Sequence, residues 1–470
     1  MAILRPVVPE QVFYQGIPTK SSRVAYGDKV AIIGSFPCVS RSIINVKSYE
    51  EAKEQLNIKV GVNDFRGNNA GDGYDEKQVD PNKWWFNGAR SLKYLFGADS
   101  GEQNVSEAIV CNTSTFARDE SGEIVCGPDG TTKLLNSSMN FVNEPYKDAT
   151  ATQTTRPKDE TKLDYALSRL KNEDFNILFL AFTPSTKDIE KLLAFCTSEY
   201  RINNPIGIIY GYNTFQLPVV QHKVTSSDDL SVIEEVASTV KSETLNKYMD
   251  GIIGQLNQFK KATVEDGNHH TLNALVPLSI KLDFEDSYLS PMESAAWYTH
   301  LVAGTRVDKS FTNKKLDHVE AVNEDLVYDA KTSNGEPSDG YKLVQAGATM
   351  FRRMSRSNDD IVCVNSTQPG EGDKCFDLSH LRTTAYIVKK MGLEQYLGSH
   401  LNALTYDEVI TLLSVVHENM LSEFSGIVND ITYTVQPHGK NCLDIIVTIY
   451  YFDILLREEI YVNEVVSGWL

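Results

Sequence analysis

The segment FNILFLAFTPSTKDIEKLLAFCTSEYRINNPIGIIYG, residues 175–211, decides the fold class of this chain. Its two ends, Phe175 to Phe182 and Pro205 to Gly211, are short apolar runs of the kind that form strands buried on both faces. Between them a helix is predicted to begin near Ser185–Asp188, because apolar residues then recur at helical spacing. A strand, a helix and a second strand in this order indicate a parallel sheet with a right-handed crossover.

The chain before this segment contributes similar elements. The run KVAIIGSFP, Lys29 to Pro37, is apolar and ends in a turn, which predicts a third buried strand. A helix is predicted over 48–56, where Ser48 and Glu51 have the spacing of a capping box. A further helix is predicted over 162–171. The α/β pattern therefore extends towards the N-terminus.

The chain after this segment contains further helices and a strand. Ser290 is predicted to cap a helix that closes at Gly304, because a proline and then an acidic residue follow it at the right spacing. A strand is predicted at 361–367 and a helix over 379–391.

The C-terminal part combines a long helix with two strands. An amphipathic helix is predicted over 406–424, with Thr405 and Glu408 as its capping box. Two strands follow, Ile431 to Val435 and Leu443 to Phe452, of which the second is nearly all apolar. The fold class is thus mixed α/β and α+β.

Length and charge limit the function. At about 150 residues per domain, 470 residues predict about three compact units. Lys and Arg number 45 against 63 Asp and Glu, so the formal net charge is −18. A surface this acidic repels phosphate backbones and anionic lipid, so nucleic acid is not an expected partner.

Neither a signal peptide nor a membrane span is predicted, because no basic N-terminal region precedes an apolar run and no stretch of 18 apolar residues occurs. The seven cysteines are scattered and form no CxxC pair. Most are predicted to be reduced core residues. A disulfide between subunits, formed after release from a reducing cytoplasm, is the alternative.

Sequence motifs of common enzymes are absent: there is no GxxxxGK[ST] phosphate loop, no GxGxxG after a strand, no HExxH and no GxSxG. The adjacent His269 and His270 are predicted to lie in a solvated loop rather than at a metal. The Asn- and Asp-rich segment 63–75 fails the EF-hand spacing. No catalytic, cofactor-binding or metal-binding residue is therefore assigned.

Two other groups have a functional and a structural interpretation. The basic patch of Arg352, Arg353 and Arg356 fits phosphate binding, but Asp359 and Asp360 follow it and favour local pairing at a protein surface. Trp84 and Trp85 fit ligand stacking, but core or interface packing is the preferred interpretation.

The two chain ends have opposite charge. Residues 1–30 hold four basic and two acidic residues, and residues 453–470 hold one basic and four acidic residues, giving +2 and −3. Both ends are too short to form a core, and residues 1–27 have no helical period. They fit strands added to a neighbour's sheet, whereas two frayed termini are the alternative.

In order along the chain, several segments resemble contractile tail sheath proteins. They are KVAIIGSFPCVSRSIINVKSYEEAKEQL (29–56), SLKYLFG (91–97), VSEAIVCNTS (105–114), MESAAWYTHLVAG (292–304), KLVQAGATMFRRMSRSNDDIVCVNST (342–367) and NCLDIIVTIYYFDILLREEIYVNEV (441–465). The resemblance covers most of the chain except roughly 57–90 and 112–160. It implies a central parallel sheet of subtilisin-like topology without protease residues.

The resemblance also implies a division into domains. The predicted parts are an N-terminal extended arm (1–27), an N-terminal α/β region (28–111), a variable polar insertion (112–160), a central α/β domain (161–345), a C-terminal α+β sheath domain (346–455) and a C-terminal arm (456–470).

The implied function is structural. Sheath subunits stack as hexameric rings in a helix around a tail tube, and contraction drives the tube through a target envelope. The implied partners are further copies, the tube protein, and baseplate and tail terminator proteins, in a virion tail or a phage-tail-like particle assembled in the host cytoplasm. No cofactor, nucleic acid or membrane insertion is implied. An α/β hydrolase-like enzyme with an unidentified active site is the alternative, and it would stay a small soluble oligomer.

The resemblance assigns the connecting strands to the chain ends. The predicted arm strands contain Val12, Tyr14, Ile17, Val24, Ile460, Tyr461, Val462, Val465 and Val466. The predicted receiving sheet contains Ile445, Val447 and Ile449. The helix over 406–424 is predicted either to turn its polar face to the tube or to pack within the core.

Overall fold

The computed structural model describes residues 28–58, 87–116, 135–136, 161–212, 246–260, 273–322, 338–391, 403–438 and 442–452, apart from gaps at 37, 39–42, 57, 98, 172, 202–205, 286–287, 356–357, 366 and 370–374. The helices are α1 (Tyr49–Gln55), α2 (Asn87–Leu95), α3 (Lys162–Leu170), α4 (Thr186–Arg201), α5 (246–260), α6 (Pro291–Ala303), α7 (Asp339–Ala346), α8 (Leu378–Met391) and α9 (Ala403–Glu423). The strands are β1 (Lys29–Gly34), β2 (Ile44–Val46), β3 (Glu107–Asn112), β4 (Thr115–Phe116), β5 (Leu135–Asn136), β6 (Ile177–Leu180), β7 (Gly207–Gly211), β8 (Asn273–Val276), β9 (Ile280–Leu282), β10 (Val319–Val322), β11 (Met350–Ser355), β12 (Asn358–Asn365), β13 (Thr367–Pro369), β14 (Cys375–Asp377), β15 (Val428–His438) and β16 (Cys442–Tyr451).

The main sheet has the strand order β2-β3-β1-β6-β7-β8. Strands β3, β1, β6, β7 and β8 are parallel, and β2 is antiparallel to β3. Val30 of β1 pairs with Ala108 on one side and with Ile177 on the other. Helices cover both faces of such a sheet, which explains why its central strands are continuous apolar runs. The predicted mixed α/β fold is confirmed, while the subtilisin-like topology stays a prediction.

The sheet joins two regions that the sequence suggested were separate. Strands β1 to β3 come from the predicted N-terminal region, 28–111, whereas β6 to β8 come from the predicted central domain, 161–345. They share one hydrophobic core, because β1 lies between β3 and β6 and is buried by both. The described parts of both regions therefore contribute to the same core.

Two hydrophobic cores are present in the described part of the chain. The first contains the main sheet and extends to Leu378, at the start of α8. The second contains Ile387, farther along the same helix, with α9 and the hairpin of β15 and β16. The hairpin of β11 and β12 packs in the first core through Phe351 and Ile361. The division between the two cores thus falls within α8.

Helix ends follow local hydrogen bonds. The predicted cap of α6 is confirmed: Ser290 Oγ accepts from the Glu293 amide, and the Glu293 carboxylate accepts from the Ser290 amide. The predicted capping box of Thr405 and Glu408 is wrong, because α9 begins at Ala403 and contains Thr405. The helix therefore begins two residues before the position at which the capping pattern placed its N-cap.

The end of β7 lies against the start of α6. A Cβ atom on Gly211 would lie 2.3 Å from the Pro291 carbonyl oxygen and 2.4 Å from the Met292 amide nitrogen. Both are backbone atoms that cannot rotate away. We expect Gly211→Ala to lower the free energy of unfolding by about 3 kcal/mol, as overpacking in a core does. Urea unfolding followed by tryptophan fluorescence measures this change.

The matched control is Gly254→Ala in α5, where an added Cβ would have no atom of the described residues within 4 Å. Because glycine is a poor helix former, this change is expected to raise stability by up to about 1 kcal/mol. Equal stability of Gly211→Ala and the wild type would contradict the close seating of α6 on β7.

Candidate functional site

The carboxyl ends of the main strands form the place where α/β proteins of this kind bind ligands. Strands β3, β1 and β6 run parallel, but the order in which strands are added to the sheet changes side next to β1, because β3 lies on one side of β1 and β6 on the other. In open α/β sheets the ligand crevice lies outside the carboxyl ends of the strands at such a change of side. If the protein were a hydrolase-like enzyme, a substrate site would be expected beside the residues that follow β1 and β3.

This crevice is filled by the chain itself. Phe36 is fully buried, and its amide donates to Asn112 Oδ1 at 3.2 Å and to Ser114 Oγ at 2.9 Å. The amide of Asn87, at the start of α2, donates to Ser35 Oγ at 3.1 Å. The ring of Phe36 also lies against Gly88, where any Cβ would collide with it. An aromatic ring and a helix start thus occupy the space at the carboxyl end of β1, where open α/β sheets in general bind a ligand.

Two of the arginines considered for phosphate binding lie in a strand of the described structure. Arg352 and Arg353 lie on β11 and pair in register with Val362 and Ile361 of β12. Asp360 accepts from Lys315 Nζ at 2.7 Å. The remaining candidates, His269, His270, Trp84, Trp85, Arg356 and segment 63–75, lie outside the described residues.

Metal-binding clusters and membrane spans are both missing from the described ranges. Within them no group of three or more His, Cys, Asp or Glu side chains is placed to hold a metal. No helix of the described part is long and apolar enough to cross a membrane.

The described cysteines behave as core residues. Cys111, Cys196 and Cys363 are buried and unbridged. Burial raises the pKa of the Cys111 thiol to about 12 and raises that of Cys196 as well. These two thiols are protonated at neutral pH and are therefore unreactive.

The C-terminal hairpin has a buried and an exposed face. Ile445, Val447 and Ile449, the predicted receiving residues, are half-buried and pack against the second core. Their side chains face α9, so they stabilise the hairpin from within. Any additional strand would have to bind to the backbone edge rather than to these side chains.

On the β16 side, the other face of the hairpin is exposed and mostly apolar. We call Ile446, Thr448, Tyr450 and Phe452 the outer face. Ile446 is 55% exposed, Tyr450 48% and Phe452 46%. The almost continuous apolar run of β16 hid this alternation from sequence reasoning, because inward and outward positions carry the same residue types.

Within the described residues, no further strand pairs with either edge of the hairpin. Strands β15 and β16 form a two-stranded sheet, and β16 has 10 residues, a length of about 33 Å. In an antiparallel strand every second peptide group points away from its partner. A long edge with few charges is a template for a further strand.

The two faces of helix α9 relate to its two predicted roles, packing within the core and contact with a tube. Its apolar face, which includes Val409, Leu413 and Val416, packs in the second core. Its opposite face exposes Asp407, Glu408, Thr411, Glu418 and Ser422. Packing within the core is thus confirmed for one face, and contact of the polar face with a tube stays a prediction.

His300 joins α6 to the region around α2. Its Nδ1 lies 3.2 Å from the Leu95 carbonyl oxygen, and its Nε2 lies 3.0 Å from Asn104 Nδ2. The ring stacks on Trp297 with a centroid distance of 4.8 Å. Nδ1 therefore donates and Nε2 accepts, which requires the neutral ring. Burial lowers the pKa of His300 to about 4.

This pKa predicts a loss of stability in acid. The unfolded chain binds the proton near pH 6.5 and the folded chain only near pH 4, so the contribution of His300 is complete above pH 6.5 and disappears as the pH falls to about 4. We expect a loss of about 3 kcal/mol in this window. Urea unfolding at pH 7.5 and 4.5 measures it.

His300→Gln serves as the comparison, because glutamine bears no titratable proton in this range. The variant should lose less stability than the wild type between the two pH values. If both proteins had the same pH dependence, His300 would have the same pKa in the folded and in the unfolded chain, which contradicts the prediction.

Comparison with known proteins gives matches of fold only. The sequence matches no protein-family profile and no curated protein. A chain of the anti-feeding prophage baseplate aligns with a TM-score of 0.50 and 11% identity, covering 93% of each chain. A sheath tail protein from Desulfitobacterium hafniense aligns with a TM-score of 0.48 and 11% identity, covering 93% of this chain and 99% of that one. A sheath tail protein from Listeria innocua aligns with a TM-score of 0.47 and 10% identity, covering 90% and 97%.

The likeness to the baseplate chain extends over nearly the whole length of both proteins. The chain therefore shares the fold of this chain of the anti-feeding prophage baseplate.

Proposed function

We propose that this protein is a structural subunit of a contractile tail sheath. The observation that carries the proposal is the C-terminal hairpin, whose two edges have no further strands in the described part of the chain. An isolated two-stranded sheet is marginally stable, and α9 covers only one of its faces. Added strands would complete this sheet.

The strands are supplied by the ends of neighbouring copies in this proposal. The arm residues are those around Val12 to Val24 and Ile460 to Val466, which lie outside the described residues. Each hydrogen bond of a donated strand contributes about 1 kcal/mol, so one link is weak. Links repeated between all copies form a mesh with high avidity.

Contraction follows if these links bend while the domains move as rigid bodies. A final state that buries more apolar surface would gain about 25 cal/mol per Å². The extended state is then held kinetically. This mechanism needs no nucleotide and no catalytic residue, and the filled crevice beside Phe36 supports a role without a small-molecule substrate.

The surroundings of the subunit complete the proposal. Copies form stacked hexameric rings around a tail tube protein, with baseplate and tail terminator proteins at the ends. The location is the tail of a virion or a phage-tail-like particle, assembled in the host cytoplasm. The domain division predicted from the sequence belongs to the same proposal.

Negative-stain electron microscopy of the purified full-length protein tests this function. We expect rods or stacked rings at high protein concentration, because every copy carries both donor and acceptor strands. Analytical ultracentrifugation over the same concentration range is the control for nonspecific aggregation. A small oligomer of fixed size at all concentrations would favour the enzyme alternative.

A further inference from the structure

One helix contacts the chain at both points where it enters the terminal segments. We call Asp28 the N-terminal root, because it follows segment 1–27 and directly precedes β1. We call Tyr451 the C-terminal root, because it ends β16 ahead of segment 453–470. Both roots are held by the first half of α8.

The N-terminal root is held by a buried ion pair. Arg382 Nε donates to Asp28 Oδ2 at 2.7 Å, and the two side chains are 1% and 4% exposed. Arg382 Nη2 also donates to the Thr305 carbonyl oxygen at 2.8 Å. Asn176 Nδ2 lies 3.4 Å from the other oxygen of Asp28. A charge-assisted bond shielded from water resists displacement of the root, because separating it leaves a buried charge unpaired.

The C-terminal root is held by the residues that flank Arg382 on the same helix. The Tyr451 ring stacks on the His380 ring with a centroid distance of 4.6 Å. The Tyr451 hydroxyl donates to the His380 carbonyl oxygen at 3.0 Å and lies 2.5 Å from Thr384 Oγ1. His380 and Thr384 are about one helical turn apart, so Tyr451 lies along a single turn of α8.

This turn is itself fixed in the protein. Leu378 belongs to the first core and Ile387 to the second, so α8 is packed into both. Leu378 also lies against β7, where a Cβ on Gly207 would be 2.7 Å from its Cδ1 atom. Because packed interiors resist continuous deformation, α8 cannot move away from one root and keep its contacts with the other.

We propose that the turn from His380 to Thr384 is a coupling element that fixes the two chain-end roots relative to one another. A displacement of one terminal segment is transmitted through α8 to the other. The inference deepens the proposed function and rests on it for its role: in a polymer joined by chain ends, the link from one neighbour to the next passes through this turn. The coupling itself is a property of the single chain and is reciprocal.

A double-mutant cycle on dilute full-length protein tests the coupling. The variants are Asp28→Asn, Tyr451→Phe and the double variant, and urea unfolding gives the equilibrium constant of each. We expect the effect of the double variant to differ from the product of the single effects by about fivefold, because both residues share α8 as a partner. Lys315→Met combined with Tyr451→Phe is the control pair, with effects that multiply to within about twofold.

A second measurement tests the coupling without Asp28→Asn, in case that variant folds poorly. Hydrogen exchange of residues 28–34 is compared between the wild type and the Thr384→Val, Tyr451→Phe variant. Exchange at least about threefold faster at this distant segment supports the coupling, since local opening reports local stability. Unchanged exchange, or independent effects in the cycle, overturns it.

These outcomes are separate from those of the proposed function. The cycle and the exchange experiment use unassembled protein, whereas the function is decided by polymers seen in the microscope. Failure to form polymers therefore refutes the sheath proposal and leaves the coupling result standing.

Discussion

Arg382→Met is expected to lower the free energy of unfolding by about 3–5 kcal/mol, because it leaves Asp28 as a buried charge without its partner. The ion pair has a separation of 2.7 Å and side chains that are almost completely inaccessible to solvent. Urea unfolding monitored by circular dichroism measures the change.

Two further variants separate charge from packing. Asp28→Leu combined with Arg382→Met replaces the pair with apolar side chains and should recover most of the lost stability. Lys315→Met removes an ion pair whose lysine is 55% exposed and should change the free energy of unfolding little, because water screens exposed charges. If Arg382→Met were no more harmful than Lys315→Met, the pair would contribute little to holding β1 and α8 together.

Deleting residues 1–20 or residues 457–470 is expected to abolish polymerisation and to leave a folded monomer. The deletion of 457–470 removes all predicted C-terminal arm residues and the deletion of 1–20 removes all predicted N-terminal arm residues except Val24, while the residues of both hydrophobic cores stay in the chain. A mesh needs donors at every copy, so loss of one donor type removes the continuous links. Negative-stain microscopy scores the polymers, and circular dichroism with size-exclusion chromatography scores the fold.

Shorter deletions are the matched controls. Removing residues 1–4 or 468–470 shortens the same ends without touching a predicted arm residue, and polymers should still form. Long tubes from either of the larger deletions would refute the assignment of that arm.

The main sheet could be predicted from sequence because its strands are short apolar runs between turn signals. β1, β6 and β7 all have this form, and burial on both faces imposes it. β11 was missed because its sequence, MFRRMS, contains two arginines and resembles a surface loop. Met350 and Phe351 pack in the first core while the arginines do not, and only the pairing with β12 reveals this.

The candidate sites were harder to predict than the fold. Asp28 and Arg382 are 354 residues apart in sequence, and no local pattern connects them. The outer face of β16 was hidden because Ile446 and Tyr450 resemble their inward neighbours in polarity. The filling of the crevice by Phe36 depends on where α2 begins, which the sequence before it does not indicate. Contacts between distant segments, rather than local propensity, decide these features.

The open edge of the hairpin has a consequence for the growth of any filament. Among the described residues, every copy has the same outward-pointing amides and carbonyls at the hairpin edges, so in the proposed filament these edges do not distinguish a growing end from a solitary molecule. The start of such a filament would then be controlled by slow nucleation, that is, by the first association of a few copies. A template that presents several edges at once would remove that delay, and so would determine where each filament starts.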